Sequence, residues 1–140
     1  MVFNINNFFD NRNKNSKIAH FQDLDHIDGV SVSTVSANLY NQKRDDLVLF
    51  YFRDGASHAS VFTQSKIISE NLKWNLKTKS EKLKALLINT RNANALTGAQ
   101  GFNSLKDLSF DLSKKLTEKQ FMDEDNPKKI NPNEIIFACT

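Results

Sequence analysis

Between Leu83 and Gly101 the sequence reads LKALLINTRNANALTGAQG, and here the side chains able to hold a ligand crowd together. Asn89, Asn92 and Asn94 carry neutral amides that donate and accept, and Thr90 and Thr97 add hydroxyls. Such groups can orient a polar substrate or a carbonyl oxygen. They can equally bond neighbouring backbone, and short amides also tolerate left-handed conformations, so a loop with structure of its own is the competing use. Other reactive types are scattered. The histidines His20, His26 and His58 sit in no nucleophile elbow, and the serines lack a G-x-S-x-G context. The run DLDHID from Asp23 to Asp28 gathers carboxylates around His26, but no spacing puts them on one face, so a solvated acidic loop is expected and no metal site. Cys139, on an apolar stretch, reads as a small buried hydrophobe. The four glycines form neither a P-loop nor G-x-G-x-x-G.

The elements that must position the asparagines follow from periodicity. The apolar run Ala85 to Ile88 has the length of a strand buried on both faces, and it delivers the chain into the polar crook. Thr97 with Gln100 three residues on fits a capping box, and Gly98 sits at the helix start. Phe102, Leu105, Leu108, Leu112 and Leu116 then recur every three or four residues, the pattern of an amphipathic helix lying on a sheet. Upstream, Val30, Val32 and Thr34 alternate with serines as a strand, and Leu47 to Phe52 is the most hydrophobic run and the central-strand candidate. Asp54 and Gly55 predict a hairpin turn into a third strand at Ala59 to Thr63. Ile68, Leu72 and Leu76 predict a helix within Ile67 to Ser80, with Trp74 off that line, and Glu134 to Thr140 begins a last buried strand. Together these predict an α/β fold with helices packed on a sheet.

With 140 residues and 39% hydrophobic content the chain is of single-domain size. Residues 1–17, with six asparagines and little apolar material after Phe9, form an expected polar extension, leaving 18–140 as the domain. A net charge of +3 does not demand a polyanionic partner. One cysteine excludes an internal disulfide and fits the cytoplasm, and neither a signal peptide nor a membrane span is evident. The sequence ends within an apolar strand, so a chain truncated at its C-terminus is expected.

The order of segments resembles the N-terminal part of the ornithine acetyltransferase family, also called the bifunctional glutamate N-acetyltransferase family, over about Gly29 to Thr140. The matching pieces are Arg44, Asp46 and Leu47; Val61, Phe62 and Thr63; Asn92, Ala93, Asn94, Ala95, Thr97 and Gly98; and Ala138, Cys139 and Thr140. The resemblance implies helices on a mixed sheet, part of a layered αββα fold, and acetyl transfer from N-acetylornithine to glutamate in arginine biosynthesis. It implies a self-cleaving precursor whose downstream threonine is the nucleophile, so that the missing C-terminal segment is a partner and this chain is inactive alone. Thr140 matches an oxyanion-hole threonine, and Asn92, Asn94, Thr97 and Gly98 form a structural loop near the site. Substrate-binding residues are not assigned, no cofactor or metal is implied, and acetyl-CoA serves some members as a substrate. Departures are Arg91 where the family has glycine, Ser60 and Ser65 around the V-F-T piece, and Cys139 for a usual serine, which leaves a degenerate, non-enzymatic remnant as one alternative. The other, from a different class, is a small basic module that uses Trp74 and the five lysines from Lys73 to Lys84 on RNA or an acidic partner. Against it stands a solvated basic face with Trp74 packed beneath a neighbour.

Overall fold

A computed structural model describes residues 25–39, 44–78, 80–123 and 125–139. The chain runs β1 (Val30–Val35), β2 (Leu47–Ser57), α1 (Glu70–Lys77), β3 (Lys82–Asn89), α2 (Gly98–Asp123), a short 3-10 turn (Pro132–Glu134) and β4 (Ile135–Cys139). The four strands form one mixed sheet in the order β1-β2-β3-β4. The first three pair antiparallel, and β4 joins β3 in parallel after the α2 crossover.

Alternation along each strand decides which side is covered. Tyr51 of β2, Ala85 and Leu87 of β3, and Ile135 and Phe137 of β4 form the core with Trp74 of α1 and Leu105 and Leu116 of α2. Full burial of a side chain such as Ile135 is worth about 1.5–3 kcal/mol. The opposite face carries the row Val32, Phe50, Leu86 and Ile136, paired across the sheet, of which Val32 is exposed and the other three are half-buried among the described residues. Residues 1–17, assigned to a polar extension, lie outside the described residues.

Three sequence expectations need correction. Asp54 and Gly55 do not reverse the chain: β2 continues to Ser57, which pairs with Lys82, and Ala59 to Thr63 is not a strand. The register shifts between Tyr51, opposite Ala85, and Ala56, opposite Leu83, so the extra residues form a bulge in which Gly55 takes a φ of 77°. The bulge frees the Arg53 carbonyl, which accepts from Lys84 Nζ and, at 3.1 Å, from Gln120 Nε2 of α2. That clamp holds β2 on course. Val61 is 99% exposed, as an apolar residue with no partner strand must be.

The second correction concerns α1, which starts at Glu70 with Ser69 as its cap and turns Asn71 and Trp74 inward, leaving Leu76 exposed. On α2 the buried stripe passes through Leu105, Ser109, Ser113, Leu116 and Gln120, and Leu108 faces out. Serines can serve there because their hydroxyls bond carbonyls one turn back, Ser109 to Lys106 and Ser113 to Phe110.

Candidate functional site

β3 ends at Asn89, and the chain turns through the crook before α2 begins at Gly98. The crook is held in an unusual backbone path: Arg91 and Leu96 have φ of 68° and 60°, with Gly98 at 61°. Left-handed backbone costs a residue with a Cβ about 1–2 kcal/mol, so neither Arg91 nor Leu96 is the residue the conformation favours. Asn89 Nδ2 donates to the Asn92 carbonyl at 2.7 Å, and Thr97 Oγ1 donates to Asn94 Oδ1. The capping box expected at Thr97 is thereby replaced: the hydroxyl turns to Asn94 rather than to the helix's own N–H groups. Gly101 permits this, since a Cβ there would stand 2.6 Å from Asn94 Oδ1 and 2.7 Å from Thr97 Cβ.

Two anchors fix the crook from outside. The Glu70 N–H donates to the Asn94 carbonyl at 2.9 Å, tying the crook to the first turn of α1. Thr90 N–H donates to the Asp46 carbonyl at 2.9 Å. The Asp46 carboxylate is itself buried and accepts from the Ala37 and Leu39 N–H groups at 2.6 and 2.8 Å, satisfying the loop between β1 and β2. Asp46 is therefore a bracket between that loop and the crook.

Beneath the crook lies a cleft of about 570 Å³, whose walls include Leu39, Asn71, Leu87, Asn94 and Phe137. Asn71 is 3% exposed, and its Oδ1 is a buried acceptor with no hydrogen-bond partner. An acceptor left in that condition costs about 1–3 kcal/mol. One turn later on the same helix the opposite holds. Asn75 Nδ2 donates to the Phe137 carbonyl at 2.8 Å and its Oδ1 accepts from the Phe137 N–H at 3.1 Å, while Trp74 Nε1 donates to the Ile135 carbonyl at 2.9 Å. These bonds satisfy the open edge of β4.

The strand leading to Thr140 ends beside the crook, because Cys139 pairs with Asn89 in the parallel β3–β4 ladder. Thr140 itself lies outside the described residues. Trp74 is buried between Phe102 and Phe137, with both ring centroids 6.0 Å away. Lys77 Nζ lies 4.4 Å from the Phe102 ring centroid, and Lys84 is buried. The stacking surface required by the nucleic-acid alternative is thus absorbed into the core. In the acidic run, Asp28 forms a bidentate pair with Arg53, and that guanidinium holds its carboxyl below the usual carboxylate range and is itself held more firmly protonated. No group of three metal-ligating side chains occurs among the described residues, and His20 and Asp23 fall outside them.

Asn71 and Asn75 escaped the sequence reading. The signal was present as two asparagines four apart flanking a tryptophan, but the leucine line at Leu72 and Leu76 drew the apolar assignment instead.

Comparison with known proteins places this arrangement. A profile of the ArgJ family matches residues 31–125. The arginine biosynthesis bifunctional protein ArgJ of Zymomonas mobilis is 39% identical over 80 residues, covering 56% of this chain and 20% of the relative. The Bartonella henselae protein of that name is 29% identical over 122 residues, covering 86% of this chain and 27% of the relative. The chain spans about a fifth to a quarter of the length of these relatives. The fold is similar to that of ornithine acetyltransferase from Mycobacterium tuberculosis, solved in complex with ornithine, with a TM-score of 0.70 at 20% identity, covering 81% of this chain and 56% of that one. Bacillus halodurans ArgJ gives 0.62 at 23% identity, covering 80% and 53%. The crook, its flanking strand and its helix all fall within the matched stretch, and the chain belongs to the ArgJ family.

Proposed function

We propose that this chain is the N-terminal part of an acetyltransferase of arginine biosynthesis that moves an acetyl group from N-acetylornithine to glutamate. The observation that carries this reading is the family match across residues 31–125, joined to a fold like that of the ornithine-bound acetyltransferase. In this reading a threonine freed by self-cleavage, on a later segment of the polypeptide, attacks the acetyl carbonyl. The C–N bond of the substrate amide breaks, ornithine departs with its amine restored, and an acetyl ester of threonine remains. The glutamate amine then attacks that ester and regenerates the hydroxyl. Covalent catalysis of this kind divides one difficult transfer into two easier ones.

The part assigned to this chain is electrostatic. Thr140 donates to the oxyanion that forms in each half-reaction, and the crook and Asp46 set the end of the sheet from which it extends. The reaction needs no cofactor, acetyl-CoA entering only as an alternative acetyl donor, and the cytoplasm is its compartment. Catalysis requires the later segment as a partner, so the 140-residue chain alone does not turn over. Incubating the complete polypeptide with N-acetylornithine and no glutamate tests the reading by intact-protein mass. An acetylated species that forms and is discharged by glutamate is expected. Absence of any acetylated species with a folded, cleaved protein contradicts it.

A further inference from the structure

Away from the crook, α2 forms one wall of a groove that the acetyl-transfer reading does not use. The groove measures about 1060 Å³ and lies between the helix and the segment from Lys129 to Asn133, with Trp74 and Lys77 of α1 at its Phe102 end. The α2 wall extends from Phe102 to Phe121, about 30 Å at the rise of an α-helix. Phe110 and Phe121 are 53% and 62% exposed there, beside the half-buried Phe102. Aromatic rings left in water along one groove form a continuous apolar patch, and such patches mark interaction surfaces.

Charge selects the kind of partner. Among the described residues the groove is lined by four cations, Lys77, Lys106, Lys114 and Lys129, and two anions, Asp111 and Glu118. The anions follow Phe110 and Thr117 by one residue, a rotation of about 100° that carries them further from the buried stripe of α2, onto the outer rim. Lys106, Lys114 and Lys129 have no ion-pair partner among the described residues. Most of the neutral polar lining is already committed: the Ser113 and Thr117 hydroxyls donate to carbonyls of their own helix, and Asn131 caps the 3-10 turn. Little is left to bond the polar edges of bases, which favours an apolar face over a nucleic acid. The walls are a helix and a capped turn, so no unpaired strand edge is offered. An extended peptide would leave its N–H and C=O groups without partners, whereas a helix satisfies its own.

We propose that this groove docks an acidic amphipathic helix of another protein, its apolar stripe on Phe102, Phe110 and Phe121 and its carboxylates beside Lys106, Lys114 and Lys129. The aromatic rings supply affinity and the lysines choose the sign of the partner's charge. The surface is independent of the acetyl-transfer reading and stands or falls separately from it.

The test is fluorescence anisotropy of labelled synthetic helices of about 20 residues, with leucine at every third or fourth position, titrated with the 140-residue chain and with the complete polypeptide. A helix with glutamate at the remaining positions is expected to bind both, at least about tenfold more tightly than the same helix with lysine there, and more weakly as salt rises. Scrambling the leucine spacing should remove most of the affinity. Phe110→Ser and Lys106→Glu should each weaken binding at least about tenfold with the thermal midpoint retained, since both side chains are exposed. Lys115→Glu, an exposed α2 position outside the groove, makes the same change in net charge and should leave affinity nearly unchanged. If Phe110→Ser does not fold, the contrast between Lys106→Glu and Lys115→Glu decides. Equal losses in those two variants, equal binding of the scrambled helix, or tighter binding of an oligothymidylate would overturn the proposal. Binding by the chain but not by the complete polypeptide would overturn it too, because a later segment of the same polypeptide then fills the groove.

Discussion

Asn75 and Asn71 lie one turn apart on α1 and are used in opposite ways. Asn75 spends both ends of its amide on the backbone of Phe137, and Trp74 beside it bonds the Ile135 carbonyl, so the edge strand leaves that end of the helix fully paired. Asn71 keeps a buried oxygen without a partner, next to a crook in which Arg91 and Leu96 hold left-handed backbone. This fold thus holds its stability at one end of α1 and gives some up at the other. Unfavourable local choices persist when the surrounding structure over-determines them, and they cluster at working sites. Here the crook is over-determined by Asp46, by the Glu70 N–H and by the close packing of Gly101.

The comparison can be pressed by substitution. Trp74→Ala should have the largest effect, a loss of about 3–5 kcal/mol in denaturant unfolding, since it empties the core between Phe102 and Phe137 and strands the Ile135 carbonyl. A cost below 1 kcal/mol would mean that the tryptophan does not hold α1 to β4. Asn75→Leu should cost about 2–4 kcal/mol by leaving the Phe137 N–H and carbonyl without partners, whereas Asn71→Leu should be neutral or slightly stabilising. Matching losses in the two variants would erase the contrast between the ends of the helix. In the crook, Leu96 is 81% exposed, so Leu96→Gly removes backbone strain and little else. Relief of about 1 kcal/mol, partly offset by the greater freedom of glycine in the unfolded chain, predicts a gain of a few tenths of a kcal/mol, read from the thermal midpoint.

The smallest effect lies outside both regions. Because Arg53 lowers the Asp28 pKa, the pair stabilises the fold above the ordinary aspartate value of about 3.9, and that contribution fades as pH falls through the lowered folded value. An Arg53→Ala variant should return the Asp28 carboxyl midpoint, followed by NMR, toward the ordinary value. An unchanged midpoint would show that the pair does not persist in solution.

Much of the frame was legible because hydrophobic period reports burial directly. Leu47 to Phe52 and Ala85 to Ile88 became central strands, and the Phe102 to Leu116 pattern became α2. Errors arose where tertiary contacts overrode local signals. Asp54-Gly55 has the chemistry of a hairpin turn, but Lys84 and Gln120, both distant in sequence, hold the Arg53 carbonyl and make it a bulge. Leu108 matches the helical spacing yet faces out, because Ser109 and Ser113 bury their hydroxyls against their own helix. Of the site, the position of the crook was readable from residue types, whereas the awkward placement of Arg91 was visible only through the resemblance to a family with glycine there. Asn71 was not readable, since an orphaned acceptor is a property of what surrounds it and leaves no mark in its own spacing.

The most direct test of the functional account is steady-state acetyl transfer from N-acetylornithine to glutamate by the complete polypeptide, with and without Thr140→Ala. The account predicts transfer by the wild type and a fall in kcat of about 10² to 10³, the usual consequence of removing one oxyanion donor, with self-cleavage and the thermal midpoint retained. Wild-type rates in the folded, cleaved Thr140→Ala protein, or no transfer by the wild type, would contradict it.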